Sequence, residues 1–146
     1  MQPTEFQTPS KAALKGLLEV PVVEDSGLQP NPIIRLGDSW SIVLNWTIEG
    51  PMASAFAGEW IIRSMLEVMG PGIDLNLPDE VVQVDSTQPA FTRSYTKTLS
   101  IPGNVMQKEG VYKLVVAIVH HHLGVPTQTA CFAEGPLLQF YTAPIP

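Results

Sequence analysis

Three consecutive histidines, His120, His121 and His122, end the longest apolar run of the chain. On a strand, alternate side chains share a face, so His120 and His122 would project together about 6 to 7 Å apart. Two imidazoles at that spacing suit Zn²⁺ or Cu²⁺, with Cys131 or Glu134 as a third ligand. Catalysis would need an acid or base beside them, and no HExxH pattern occurs. The simpler reading is a strand end emerging into a loop, its histidines half solvated and able to make a pH-sensitive contact. A second set of polar groups, Asp74, Asn76, Asp79 and Glu80, offers oxygen ligands in a loop. The spacing and the glycine of an EF-hand are absent, and a solvated turn is the better reading. Cys131 stands between Ala130 and Phe132 with no nearby base, so it reads as a small core residue. No nucleophile elbow, phosphate-binding glycine loop or Cys-x-x-Cys pair occurs. The chain therefore reads as non-catalytic, with no cofactor expected.

The histidines are positioned by the segment Glu109–His122. It opens at a turn glycine and carries Val111, Val115, Val116, Ile118 and Val119. A helix of this length would want one polar face, and this segment has none. Apolar residues on both alternating faces predict a central strand buried between two layers.

The rest of the chain repeats the strand theme. Across 33–49, Trp40, Ile42, Leu44, Trp46 and Ile48 point one way and mostly polar residues the other, which predicts a strand with one wet face. Residues 59–69 fit strand or helix, and the bracketing Gly58 and Gly70-Pro71-Gly72 favour a strand. Residues 81–84 are short. Residues 91–101 put Thr92, Ser94, Thr96 and Thr98 on one face and carry Lys97 on the other, as a strand near an edge does. Residues 126–133 and 137–141 read as two further strands split by Gly135-Pro136. Residues 10–16 suggest one helical turn capped by Ser10. Seven or eight strands, little helix and no βαβ rhythm predict an all-β fold: an antiparallel sandwich of two sheets closing on each other's apolar faces. The organisation expected is an arm and irregular first strand over 1–32, a sandwich core over 33–141, and an extended tail over 142–146.

Trp60 in a presumed third strand, followed by Gly110-Val-Tyr112 opening a late central strand, resembles an immunoglobulin-type sandwich. The resemblance covers about residues 33 to 141. It implies that Trp60 packs between the sheets and that Tyr112 fastens a corner. The family's disulfide positions are missing, and Leu44 and Leu114 would fill the equivalent inward sites. Together with Trp40 and Trp46 these residues form the expected core. The resemblance implies architecture and no activity.

Composition narrows the function classes. The chain has 146 residues, enough for one domain with a real core. Charged residues are only 15%, against about a quarter in ordinary domains. The net charge is −6 with no basic run, which disfavours nucleic acid. One cysteine excludes an internal disulfide. The first residues lack the pattern of a signal peptide, and no apolar run reaches membrane-helix length. A soluble, intracellular protein without membrane contact is expected. Met52, Phe56, Met69, Leu75 and Leu77 lie on loops, hard to bury in one sandwich, and would form a contact surface. The function expected is a protein–protein interaction or structural module, docking on a partner or on itself, as in a virion or other multi-protein particle. A metal- or small-ligand-binding protein built on the histidines is the alternative. A carbohydrate-binding module, resting on the tryptophans, is the third.

Overall fold

The computed structural model describes residues 2–25, 29–84 and 90–142. Its strands, in chain order, are β1 (Thr4–Glu5), β2 (Lys15–Leu18), β3 (Val22–Asp25), β4 (Gln29–Pro30), β5 (Ile33–Arg35), β6 (Trp40–Glu49), β7 (Glu59–Val68), β8 (Leu75–Asn76), β9 (Glu80–Gln83), β10 (Thr92–Ile101), β11 (Gly110–His122) and β12 (Val125–Tyr141). A 3-10 helix, Pro51–Ala55, links β6 to β7. The all-β sandwich expected from the strand pattern is what the chain forms.

In the first sheet β6 is central. It pairs antiparallel with β10 along its whole length. Its other side takes β2 and then β3 in succession. Pro21 explains the division: a residue without an N–H cannot continue the ladder, so the apolar segment 17–23 becomes two strands. In the second sheet β11 lies between β7 and β12, with the short β8 and β9 on β7 and β5 parallel to the end of β12. Each sheet has six strands, twelve in all among the described residues, against the seven or eight expected. The excess comes from that division, from the separation of β5 from β6 within the segment 33–49, and from two-residue pairings.

Three further expectations are corrected. Residues 126–133 and 137–141 form one strand. Gly135 lies against Leu114, and the register shifts between Lys113 and Val115, opposite Gly135-Pro136. A bulge absorbs the proline without ending the strand. Residues 10–16 form no helix: the Ser10 carbonyl accepts from the Ala13 and Leu14 amides in one turn, and the chain then enters β2. The first residues are no loose arm. The Phe6 amide donates to the Gly16 carbonyl, and Gln7 exchanges two backbone hydrogen bonds with Ala130. The arm thus closes one side of the sandwich, tying the first sheet to the second. The expected tail, 142–146, lies outside the described residues apart from Thr142.

The core fills the space between the sheets. Trp40, Leu44, Trp46, Trp60, Tyr112 and Leu114 are all buried. Trp60 sits between the sheets with five rings around it: Phe6, Trp46, Phe56, Tyr95 and His120. β10 is a ten-residue edge strand. The half-buried Lys97 alternates with Tyr95 and Leu99 on its inner side. A strand added at that edge would have to cover this charge, which discourages sheet-to-sheet pairing there. Among the described residues no helix is long and apolar enough to cross a membrane.

Candidate functional site

Two places in the fold carry features beyond packing. One is the end of the sandwich where β6 leads into the 3-10 helix and β11 turns into β12. The other is the outer face of the second sheet.

At the sandwich end, His120 is buried and both ring nitrogens are engaged. Nε2 lies 2.6 Å from the Ala57 carbonyl oxygen, and Nδ1 lies 2.9 Å from the Thr127 hydroxyl. A carbonyl only accepts, so Nε2 carries the proton, while Nδ1 lies against the Thr127 hydroxyl. The Thr127 hydroxyl also sits 3.1 Å from the His120 carbonyl and receives the Thr129 amide at 3.3 Å. The ring packs on Phe56, with centroids 3.9 Å apart, and on Trp60. His122 shares the face of His120 but is exposed, while His121 points to the other face, paired in register with Glu59 and Pro126. His120 and His122 thus share a face as their spacing requires, but both ring nitrogens of His120 are engaged within the chain. No group of three or more His, Cys, Asp or Glu side chains able to hold a metal occurs among the described residues.

Burial depresses the pKa of His120 below its ordinary 6.5, only partly offset by the bond to the Ala57 carbonyl. The folded chain therefore resists the proton that the unfolded chain accepts near pH 6.5. The unfolded state binds more protons in that range, so stability rises with pH. The contribution is complete above pH 6.5 and is lost as pH falls toward the folded-state value. We expect the melting temperature to drop on acidification from pH 7 to 5 and the drop to shrink in His120→Gln. Thermal melts of both proteins across that range check this. A slope equal in both would remove His120 as its source.

The other candidate residues disperse. Cys131 is buried, with Sγ 4.0 Å from the Thr4 carbonyl oxygen, and its thiol is pushed up to about 12 by burial. Such a thiol is a core residue and a poor nucleophile. Asp74 accepts the Val68 amide and Asp79 faces Arg63, so the acidic loop does not converge on one point. The three tryptophans are buried and leave no aromatic platform for a sugar.

The predicted contact surface is partly corrected. Met52 and Met69 are exposed, but Phe56 and Leu77 are buried and Leu75 packs partly against the core. The 3-10 helix folds Phe56 back onto Trp60, 5.4 Å between centroids. Residues 75–77 run back along β7, with Leu75 opposite Leu66 and the Leu77 amide on the Ser64 carbonyl. The connections are a 3-10 helix that folds Phe56 inward and a short extra strand that buries its apolar side chains.

The apolar surface lies instead on the outer face of the second sheet. The register aligns Ala130, Val119, Ile61 and Val81 in one row across four strands. The next rows hold Phe132, Ala117 and Arg63, then Glu134, Val115 and Met65. Phe132 is 65% exposed and Val81 48%. Ion pairs Arg63–Asp79 at 3.3 Å and Lys113–Glu134 at 3.4 Å flank the patch. From strand spacing its area is about 300–400 Å². The first sheet's outer face is the opposite: Thr92, Ser94, Thr96 and Thr98 stand beside Asn45 and Thr47, joined by Thr96–Asn45 at 2.7 Å and Thr47–Ser94 at 3.1 Å. Phe132, Ile61, Val119 and Val81 escape a motif search. Their signal is the two-faced apolar character of β11, continued by Ala130 and Phe132. The second layer expected over that face is not supplied by the described chain.

No protein-family model matches the sequence, and no curated protein matches it. Among solved structures, the C-terminal domain of wzt aligns over 97% of this chain and 79% of its own length, with a TM-score of 0.58 and 11% identity. A β-glucosidase from Listeria innocua, in complex with glucose, aligns over 84% of this chain with a TM-score of 0.48 and 14% identity. The chain spans 16% of the length of that enzyme. At such identities the likeness to wzt shows a shared β-rich fold and nothing of function.

Proposed function

We propose that this protein is a non-catalytic interaction module that docks on another protein subunit through the outer face of its second sheet. The observation that carries the reading is the contrast between its two outer faces. A sheet that meets water on one side alternates apolar and polar residues, as β6 and β10 do. β11 does not, and its outer residues Val115, Ala117 and Val119 continue laterally into Phe132, Ile61, Met65 and Val81. A patch of about 300–400 Å² is within the range of the largest patch on an ordinary monomer, which is often functional. A stable interface needs about 800 Å² per partner, so Leu137, Val111 and Tyr141, exposed on the same face, belong to the contact. Arg63–Asp79 belongs to a polar rim, and Lys113–Glu134 lies as an ion pair within the contact. The immunoglobulin-like character of the sandwich, drawn from Trp60 and Tyr112, belongs to this proposal, as do a soluble state and a place inside the cell.

A photo-crosslinking amino acid placed at Phe132, and in a second variant at Thr96, tests it in the native host. The expected result is a discrete crosslinked species from position 132 and none from 96. A crosslink to a second copy of this chain would name self-association as the contact. Crosslinks from 96 alone would overturn the reading. Phe132→Asp, at a side chain that is mostly exposed, should abolish the species and leave the stability within about 0.5 kcal/mol of the parent.

A further inference from the structure

The cleft at the sandwich end lies on a different surface from the docking face and is independent of that reading. Its walls are the turn after the N-terminal arm, which contributes Leu14, the 3-10 helix and its exit, with Met52, Phe56 and Ala57, and the β11–β12 hairpin. The walls are held together: the Met52 amide donates to the Ala13 carbonyl at 3.0 Å, and His120 ties Ala57 to Thr127. The volume is about 330 Å³.

Three properties define an occupant. The lining holds no Asp, Glu, Lys or Arg. A charged ligand would lose its hydration there without gaining a counter-charge, so the occupant is neutral. Most of the polar groups, His120, His122, Thr127, Gln128 and Thr129, come from the hairpin side, and the facing wall is apolar apart from Ser10. The occupant therefore has an apolar body and one hydrogen-bonding end, the usual division in small-molecule sites. An apolar cavity of about 150 Å³ takes one benzene ring, so twice that volume suits two fused rings or an alicyclic body of that size. We infer that the cleft between the arm turn, the 3-10 helix and the β11–β12 hairpin binds a small, uncharged, two-ring-sized apolar molecule bearing a hydroxyl or carbonyl group.

The test titrates 2-naphthol, and separately 2-naphthoate, into the full-length ¹⁵N-labelled protein and follows the amide resonances. The expected result is saturable shifts confined to residues 10–14, 52–57, 120–122 and 127–129, with a Kd of about 1 mM or tighter. 2-Naphthoate should bind at least about tenfold more weakly, for want of a cation. Ala55→Trp, at an exposed residue of the lining, should reduce 2-naphthol binding more than about tenfold by filling the space. His122→Ala, also exposed, should reduce it severalfold and leave the fold intact. Shifts spread over the outer sheet face, no saturation at the solubility limit, or equal binding of 2-naphthoate would each overturn the inference. So would unchanged binding in a folded Ala55→Trp.

Discussion

Trp60→Ala should destabilise this protein more than any other truncation in the core, by about 3–5 kcal/mol. The indole is fully buried near the start of β7. Five rings lie within 5.4 to 6.1 Å of it, centroid to centroid, most of them edge-on. Edge-to-face contacts of this kind add to the burial itself. They also reach every part of the sandwich: Phe6 from the arm, Trp46 and Tyr95 from the first sheet, Phe56 from beyond the 3-10 helix and His120 from β11. Alanine leaves a void at a point where no single neighbour can move in without losing its own partners. In a chain of this size each kcal/mol shifts the midpoint by about 2–4 °C, so the expected drop is roughly 10–15 °C. Trp60→Phe should lose less than half as much. A phenyl ring keeps most of the contact, and the indole N–H that it deletes has no hydrogen-bond partner among the described residues. Denaturant melts of both variants check the pair. A loss below about 1 kcal/mol in Trp60→Ala would mean that the two sheets do not meet at this residue.

The alternation of Trp40 through Ile48 was enough to place the inner face of the first sheet, because a strand with one wet face writes its burial into every second residue. The run over β11 likewise placed a central strand. It could not say what covers the second face, since a partner chain and a second layer of the same chain leave the same apolar signal. The loop residues misled for a related reason. Phe56 and Leu77 stand in segments without period, and only the tertiary path that folds them back over Trp60 and Ser64 decides their burial. His120 and His122 share a face as their spacing requires, yet the spacing carries no information on Ala57, 63 residues earlier in the chain, whose carbonyl engages the ring. The outer-face patch depends on register across four strands. That register is set by a bulge opposite Gly135-Pro136, and a proline and glycine in sequence read more naturally as a break.

Gly58→Ala should be strongly damaging for a single-atom-scale change, because it strikes the backbone junction that builds the cleft. Gly58 has φ of +112°, a conformation that costs a side-chain-bearing residue about 1–3 kcal/mol. A Cβ there would also run into the His121 carbonyl oxygen and approach His120 Nε2 to 3.1 Å. Backbone cannot rotate aside as a side chain can, so β11 and the start of β7 must separate, adding about 1–3 kcal/mol of strain. Gly70→Ala is the matched control. Its φ is +118° and a Cβ would meet nothing within 4 Å, so it carries the conformational cost alone. The difference between the two variants in denaturant melts isolates the close approach, and Gly58→Ala should be the worse by at least about 1 kcal/mol. The separation should also stretch the 2.6 Å bond from His120 to Ala57 and open the ring to water. Much of the pH dependence between 7 and 5 should then disappear along with the stability. Equal losses in the two glycine variants, with the acid sensitivity intact in Gly58→Ala, would show that this junction does not hold His120.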